Sequence, residues 1–282
     1  MKKYELGLYE KSMPNNLSWA EKFICAKDAG FDFIEISIDE SDEKLARLDY
    51  SKEERIAIVK EMFEIGVPIR TMCLSGHRKY PIGSSKESIR NKGMEIMEKA
   101  IDLACDLGIR IIQLAGYDVY YEESTDITKE LFVNNLKKCV DMAAEKGVIL
   151  AFETMETEFM NTVKKAMNYV KIINSPYLQV YPDCGNITNA AVKYENSVIE
   201  DLKSGKGHIT SVHLKETVPG VFREVPFGTG HVNFKEIIKT SWELGVRKFV
   251  AEFWYVGNND WINILKETRI FMDNNFKEAL SK

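Results

Sequence analysis

One pattern constrains this chain more than any other. A short apolar, strand-like run is followed by an amphipathic stretch, and the unit repeats eight times. The runs fall at 4–10, 31–39, 67–76, 110–116, 148–155, 178–186, 209–216 and 248–255. Their centres are nearly continuous apolar residues, such as Ile34, Ile36 and Ile38. That suits parallel strands buried on both faces. Between the runs, the stretch 91–107 carries Met94, Met97, Ile101, Leu103 and Ala104 as an inward stripe. Five of the intervening segments end on a glycine before the next run, at Gly30, Gly66, Gly108, Gly147 and Gly245. A glycine there is the usual left-handed helix cap. Eight units with no long polar linker predict an α/β fold, a single (β/α)8 TIM barrel over residues 1–282. The alternative is a doubly wound open sheet, but no Gly-x-Gly-x-x-Gly turn follows the first run.

Composition narrows the partners. A net charge of −5 disfavours nucleic acid, whose phosphates want a basic face. No apolar run approaches the roughly 20 residues of a membrane helix, so no membrane partner is expected. The start, Met-Lys-Lys-Tyr-Glu-Leu-Gly, lacks the apolar core of a secretory signal. The five cysteines are scattered with no Cys-x-x-Cys pair, which argues against a disulfide framework or a thiolate zinc site. The expected compartment is the cytoplasm. Two loops exceed what a barrel needs, 77–86 after the third run and 216–233 after the seventh. Both are candidates for closing over a substrate.

In a barrel, polar residues at the C-terminal strand ends converge on one pocket. Four consecutive runs place there Glu153, Asp183, His213 and Glu252. Taken singly, such a carboxylate is more often a helix cap or an ion-pair partner than a ligand, and such a histidine more often a hydrogen-bonded core residue. Taken together, three carboxylates in one cavity would repel and raise each other's pKa. A divalent cation resolves that conflict. The oxygen-rich set with one imidazole suits Zn, Mn, Co or Mg. Glu10, Glu35 and Gln113 lie nearby, where polar residues also form satisfied interior layers of barrels. Trp254 and Tyr117 are candidate pocket walls, and Glu156 a candidate cap or partner of Glu153.

Several stretches carry a family resemblance: Gly-Leu-Tyr-Glu-Lys at 7–11, Gly-Phe-Asp-Phe-Ile-Glu at 30–35, Arg-Leu-Asp at 47–49, Met-Cys-Leu-Ser-Gly-His-Arg at 72–78, Ile-Gln-Leu-Ala-Gly-Tyr-Asp-Val-Tyr-Tyr at 112–121, Tyr-Pro-Asp-Cys-Gly-Asn at 181–186 and Pro-Gly-Val-Phe-Arg-Glu-Val-Pro-Phe-Gly-Thr-Gly at 219–230. In order and coverage the chain resembles the L-ribulose-5-phosphate (L-xylulose-5-phosphate) 3-epimerases of ascorbate catabolism, within the xylose-isomerase-like TIM-barrel superfamily. The resemblance implies one divalent metal held by Glu153, Asp183, His213 and Glu252. It also implies that Glu153 and Glu252 form the catalytic acid/base pair. Many superfamily members have a His three residues after the metal-binding Asp, whereas this chain has Asn186.

The reaction so implied removes and returns the C3 proton of a 2-ketopentose 5-phosphate through an enediolate that a Lewis acid stabilises. Phosphate donors are sought in His77, Arg78, Lys215 and Arg223, with the two arginines favoured because a guanidinium binds phosphate bidentately. Three other readings fit parts of the sequence. An aldose–ketose isomerase could use the same metal site. A metal-dependent endonuclease of the superfamily would want more histidines than four and a basic face. A non-catalytic sugar-phosphate binder would not need two opposed carboxylates. Barrels of this kind often pair, so a homodimer is expected.

Overall fold

The computed structural model describes residues 4–281. Eight parallel strands alternate with helices: β1 Glu5–Tyr9, β2 Phe33–Ile38, β3 Ile69–Leu74, β4 Ile111–Ala115, β5 Ile149–Glu153, β6 Leu178–Val180, β7 Val212–Leu214 and β8 Lys248–Ala251. Their hydrogen-bonded order is β6-β5-β4-β3-β2-β1-β8-β7. Two parallel bridges, Val180↔Ile209 and Asp183↔His213, join the outer strands and close the ring. Backbone bonds line that seam: Thr210 N–H donates to the Val180 carbonyl at 3.0 Å, and His213 N–H to the Pro182 carbonyl at 2.9 Å.

The helices are α1 Trp19–Asp28, α2 Asp42–Ala46, α3 Lys52–Ile65, α4 Glu87–Leu107, α5 Asp126–Glu145, α6 Val163–Ile173, α7 Cys184–Tyr194, α8 Val198–Ser204, α9 Phe234–Glu243 and α10 Trp261–Leu280. Their starts follow local chemistry. Ser18, Ser51 and Thr125 each form a capping box, their side chains and those of Glu21, Glu54 and Thr128 satisfying each other's first-turn N–H groups. The five glycines expected between helix and strand all have positive φ, from 67° to 95°.

The strands are shorter than the sequence runs. The sixth differs most. The run 178–186 is a strand only to Val180, and α7 begins at Cys184. Pro182 lacks an N–H for the ladder, and Asp183 caps the helix by accepting the Asn186 N–H at 2.6 Å.

Side-chain alternation splits the buried residues into two concentric layers. Leu6, Leu8, Ile34, Ile36, Ile38, Leu150 and Phe152 belong to the large core between sheet and helices. Tyr9, Phe33, Cys73, Ala151, Tyr181 and Val250 form a second cluster inside the ring. The polar positions that share this inward phase are Glu35, Ser37, Thr71, Gln113, Glu153 and His213, all buried. Polar and apolar side chains therefore share the interior of the ring.

Glu10 turns away from that interior. Its buried carboxylate accepts Lys22 Nζ at 2.7 Å, Lys44 Nζ at 2.8 Å, Arg47 Nη1 at 2.7 Å and the Ser37 N–H at 2.9 Å. One anion thus ties β1 to β2, α1 and α2. Burial alone would push the carboxyl pKa up. The Arg47 hydrogen bond and the three cationic charges instead hold it well below the usual carboxylate range. Lys22 and Arg47 also lie over the Trp19 ring. Glu10→Gln should leave three nearly buried cations without their counter-charge and cost about 3–5 kcal/mol. Urea unfolding of the variant measures this. A loss under about 1 kcal/mol would mean the cluster reorganises freely.

Candidate metal centre

Each polar group of the site is delivered by a strand end. Glu153 is the last residue of β5, and His213 sits in β7. Asp183 caps α7 just past β6, and Glu252 follows β8. One ligand atom from each of the four lies within 4.8 Å of all the others, and all four side chains are buried. His213 Nδ1 is 3.0 Å from Glu252 Oε2, 3.8 Å from Glu153 Oε1 and 3.9 Å from Asp183 Oδ2.

The electrostatics of this cluster are severe. Burial, reinforced by the Glu252 charge, pushes the Glu153 carboxyl up to about 8. Burial also raises Asp183, to about 7, although Lys215 acts against it. Glu252 goes the other way: Lys215 and His213 outweigh its burial and hold it well below the ordinary range. Glu35 and Glu252 overcome the burial of His213 and raise its pKa well above 6.5.

These residues fit a divalent cation. Asp183 divides its work between two oxygens. Oδ1 caps α7 and lies 3.2 Å from Lys215 Nζ. Oδ2 is buried with no hydrogen-bond partner, a state that is costly for a carboxylate oxygen in the interior. The cap and ligand readings of Asp183 are thus compatible. Three carboxylates and one imidazole nitrogen form an oxygen-rich donor set that suits a divalent cation.

The expected phosphate donors separate. Arg78, Lys215 and Arg223 all line the cleft above the cluster, together with Lys11. His77 does not. It is buried, and its Nε2 is 3.0 Å from the Gly93 carbonyl of α4. Burial lowers its pKa to about 4, so it stays neutral. The expectation that His77 holds phosphate fails because its ring anchors the loop after β3 to α4. Ile82 of the same loop is in the core, so this loop is a packed wall.

Lys215 lies deeper than a remote phosphate donor would. Its buried Nζ donates to Asn186 Oδ1 at 2.8 Å and is 3.8 Å from Glu252 Oε2. Asn186 thus holds Lys215 against the metal-ligand candidates. Asn186 is fixed in turn by donating to the Thr154 carbonyl at 2.7 Å. Arg223 reaches in from the long loop after β7 and lies over the Trp254 ring, 3.8 Å from Glu156. Glu216 organises that loop by accepting the N–H groups of Gly228 and Val232. Glu156 is not a helix cap; it accepts the Tyr117 hydroxyl at 2.7 Å. The Arg78 guanidinium lies over the Tyr117 and Tyr120 rings, with Nη2 donating to the Tyr117 hydroxyl at 3.5 Å and Nε buried without a partner.

Lys11 was not among the residues expected at the site, and Glu35, expected near the pocket, has a more specific place than an interior layer. Lys11 follows Glu10, whose fourfold anchoring presents it to the cleft, where it pairs with Asp39. Glu35 contacts His213 directly, with its Oε1 at 2.5 Å from Nε2. Its inward phase in β2 was the signal that could have found it.

The comparisons agree with this architecture. Residues 23–273 match the family described as xylose isomerase-like TIM barrel. The chain belongs to that family. It is 46% identical over 254 residues to the L-ribulose-5-phosphate 3-epimerase UlaE of Salmonella heidelberg (strain SL476), covering 90% of this chain and 88% of that protein. The same identity and coverage hold for UlaE of Escherichia coli O157:H7. Among solved structures, an L-ribulose 3-epimerase superposes with a TM-score of 0.80 at 20% identity, over 98% of this chain and 95% of that one. The 3-keto-D-glucoside 4-epimerase YcjR of E. coli gives 0.76 at 17% identity, over 96% and 100%. At such identities these structures speak to the fold alone. Among the described residues, no helix is long and apolar enough to cross a membrane.

Gly185 lies where the start of α7 packs closely against the end of β7. A Cβ there would meet Thr217 Cγ2 at 2.6 Å and the Lys215 carbonyl oxygen at 2.9 Å. Gly185→Ala should therefore push α7 off the end of β7 and displace Asp183 from His213. The expected outcome is metal affinity lowered at least tenfold, read by chelator competition. Unchanged affinity would mean the seam tolerates the extra methyl.

Proposed function

We propose that this protein is a metal-dependent 3-epimerase that interconverts L-ribulose 5-phosphate and L-xylulose 5-phosphate. The observation that carries the reading is the convergence of Glu153, Asp183, His213 and Glu252 from four consecutive strand ends. The 46% identity to UlaE proteins supports the substrate. In this reading the four residues hold one divalent ion, with Zn, Mn and Co the candidates that suit a single imidazole among carboxylates. Lewis-acid stabilisation of the charge that develops on substrate oxygen is the chemistry such an ion supplies when bound.

The remaining work belongs to the chain. Epimerisation needs a base on one face of a planar intermediate and an acid on the other. Glu153 and Glu252 come from β5 and the end of β8, with two strands between them on the shorter way round the ring. A ketose seated between them loses its C3 proton to one carboxylate and regains a proton from the other carboxyl. Lys215, held by Asn186, offers a fixed ammonium beside the reacting oxygens. Arg78, Arg223 and Lys11 supply the positive rim that a phosphate dianion requires at the cleft. Trp254 walls the same cleft. We assign the reaction to ascorbate catabolism, as the resemblance implies, place it in the cytoplasm on the scattered cysteines, and expect a homodimer because barrels of this kind often pair.

Incubation in D2O with L-ribulose 5-phosphate tests the reaction. The expected result is deuterium at C3 and the appearance of L-xylulose 5-phosphate by NMR, abolished by chelator and restored by Mn or Zn. Glu153→Gln and Glu252→Gln should each slow turnover by about 10²–10⁴-fold. Deuterium at C1 with an aldose product would instead identify an aldose–ketose isomerase.

A further inference from the structure

We infer that Glu35, buried inside the barrel, is a positioning residue that fixes which nitrogen of His213 faces the metal and strengthens that nitrogen as a ligand. The inference rests on the metal-site reading above and extends it to a residue outside the four-residue cluster. Glu35 is fully buried in the middle of β2. Among the described residues its ion-pair partner is His213, through Oε1 to Nε2 at 2.5 Å. Its other oxygen, Oε2, accepts the Thr71 hydroxyl at 2.7 Å and the Tyr181 hydroxyl at 2.9 Å.

This arrangement leaves little freedom. An ionised carboxylate only accepts hydrogen bonds. The two hydroxyls occupy Oε2 and orient the group, so Oε1 is left to face the imidazole. Nε2 must then carry a proton to donate. In a neutral imidazole the lone pair falls on the other nitrogen, Nδ1. Nδ1 is the nitrogen that faces Glu252, Glu153 and Asp183. The tautomer needed for metal binding is thus set from below, by a residue of β2 held by residues of β3 and just past β6. An anionic acceptor behind a ligating imidazole also raises its basicity, and removing such a partner typically weakens metal affinity 10–100-fold.

The test is Zn2+ affinity of the metal-free protein by chelator competition, for wild type and Glu35→Gln, with near-UV circular dichroism confirming the fold. Glutamine keeps the size and removes the charge. The expected result is a 10–100-fold loss of affinity in the folded variant. Equal affinity would overturn the inference. The wild type gives an independent reading by 1H–15N NMR of the Zn-loaded protein. A solvent-protected Nε2–H of His213, shifted far downfield, is expected, and an Nδ1–H tautomer would overturn the inference. If Glu35→Gln does not fold, Thr71→Val combined with Tyr181→Phe keeps the charge and removes its orientation. Zn affinity should then fall by a smaller factor, and no change would count against the inference. A wild type that binds no Zn2+ would sink the metal reading itself, which is a different failure.

Discussion

The structure is arranged around one electrostatic conflict. Glu153, Asp183 and Glu252 bring three carboxylates into a space where their ligand atoms and that of His213 lie within 4.8 Å of one another. Two like charges about 4 Å apart repel by about 4 kcal/mol at an effective dielectric of 20. Nothing in a folded chain accepts that repulsion three times over without compensation. Lys215 supplies one positive charge, against Asp183 and Glu252. His213 supplies a second when both of its nitrogens are protonated. Protonation of Glu153 and Asp183, raised to about 8 and about 7, relieves the rest, so binding a divalent cation would displace protons from these carboxyls and from His213 Nδ1. Metal uptake by this cluster would therefore be coupled to pH.

The barrel makes the conflict tolerable by distributing the residues. No two of the four come from the same strand, so each is held by a separate element. The ring closes at the seam between β6 and β7, where the bridge partners are Asp183 and His213 themselves. Closure of the fold and assembly of the site are one event. The cost of Gly185→Ala follows from the same coincidence, because the helix that bears Asp183 starts against the strand that bears His213 and Lys215. At the end of β1, one strand removed from β7, Glu10 plays a comparable structural part. It gathers three cations into one buried knot and fixes the end of β1, from which Lys11 enters the cleft.

Much of this was legible in the sequence. The eight-unit repeat, the glycine punctuation and the four candidate ligands at strand ends follow from periodicity of apolar residues, which is a local signal. The alternation within strands carried more than the apolar runs suggested. Glu35, Thr71, Gln113 and His213 share one phase, and that phase is the barrel interior. What was not legible depended on side-chain direction beyond the strand ends. His77 and Arg78 are neighbours in sequence, yet a tight turn at Gly76–Arg78 sends the first to α4 and leaves the second at the cleft. Glu10 and Lys11 part in the same way. The sixth run was read as too long because Pro182 and Asp183 end a strand by backbone chemistry that apolar periodicity does not register. The contact between Lys215 and Asn186 joins positions 29 residues apart and has no local signature.

The central claim is that these four side chains form one metal site whose histidine binds through Nδ1. A crystal of the protein loaded with Mn2+ or Co2+, measured at the metal's absorption edge, tests it most directly. One anomalous peak is expected, with Glu153, Asp183, His213 Nδ1 and Glu252 as its protein ligands at about 2.0–2.2 Å. A peak bound through Nε2, a peak elsewhere with this cluster empty, or no peak at saturating metal would contradict the account.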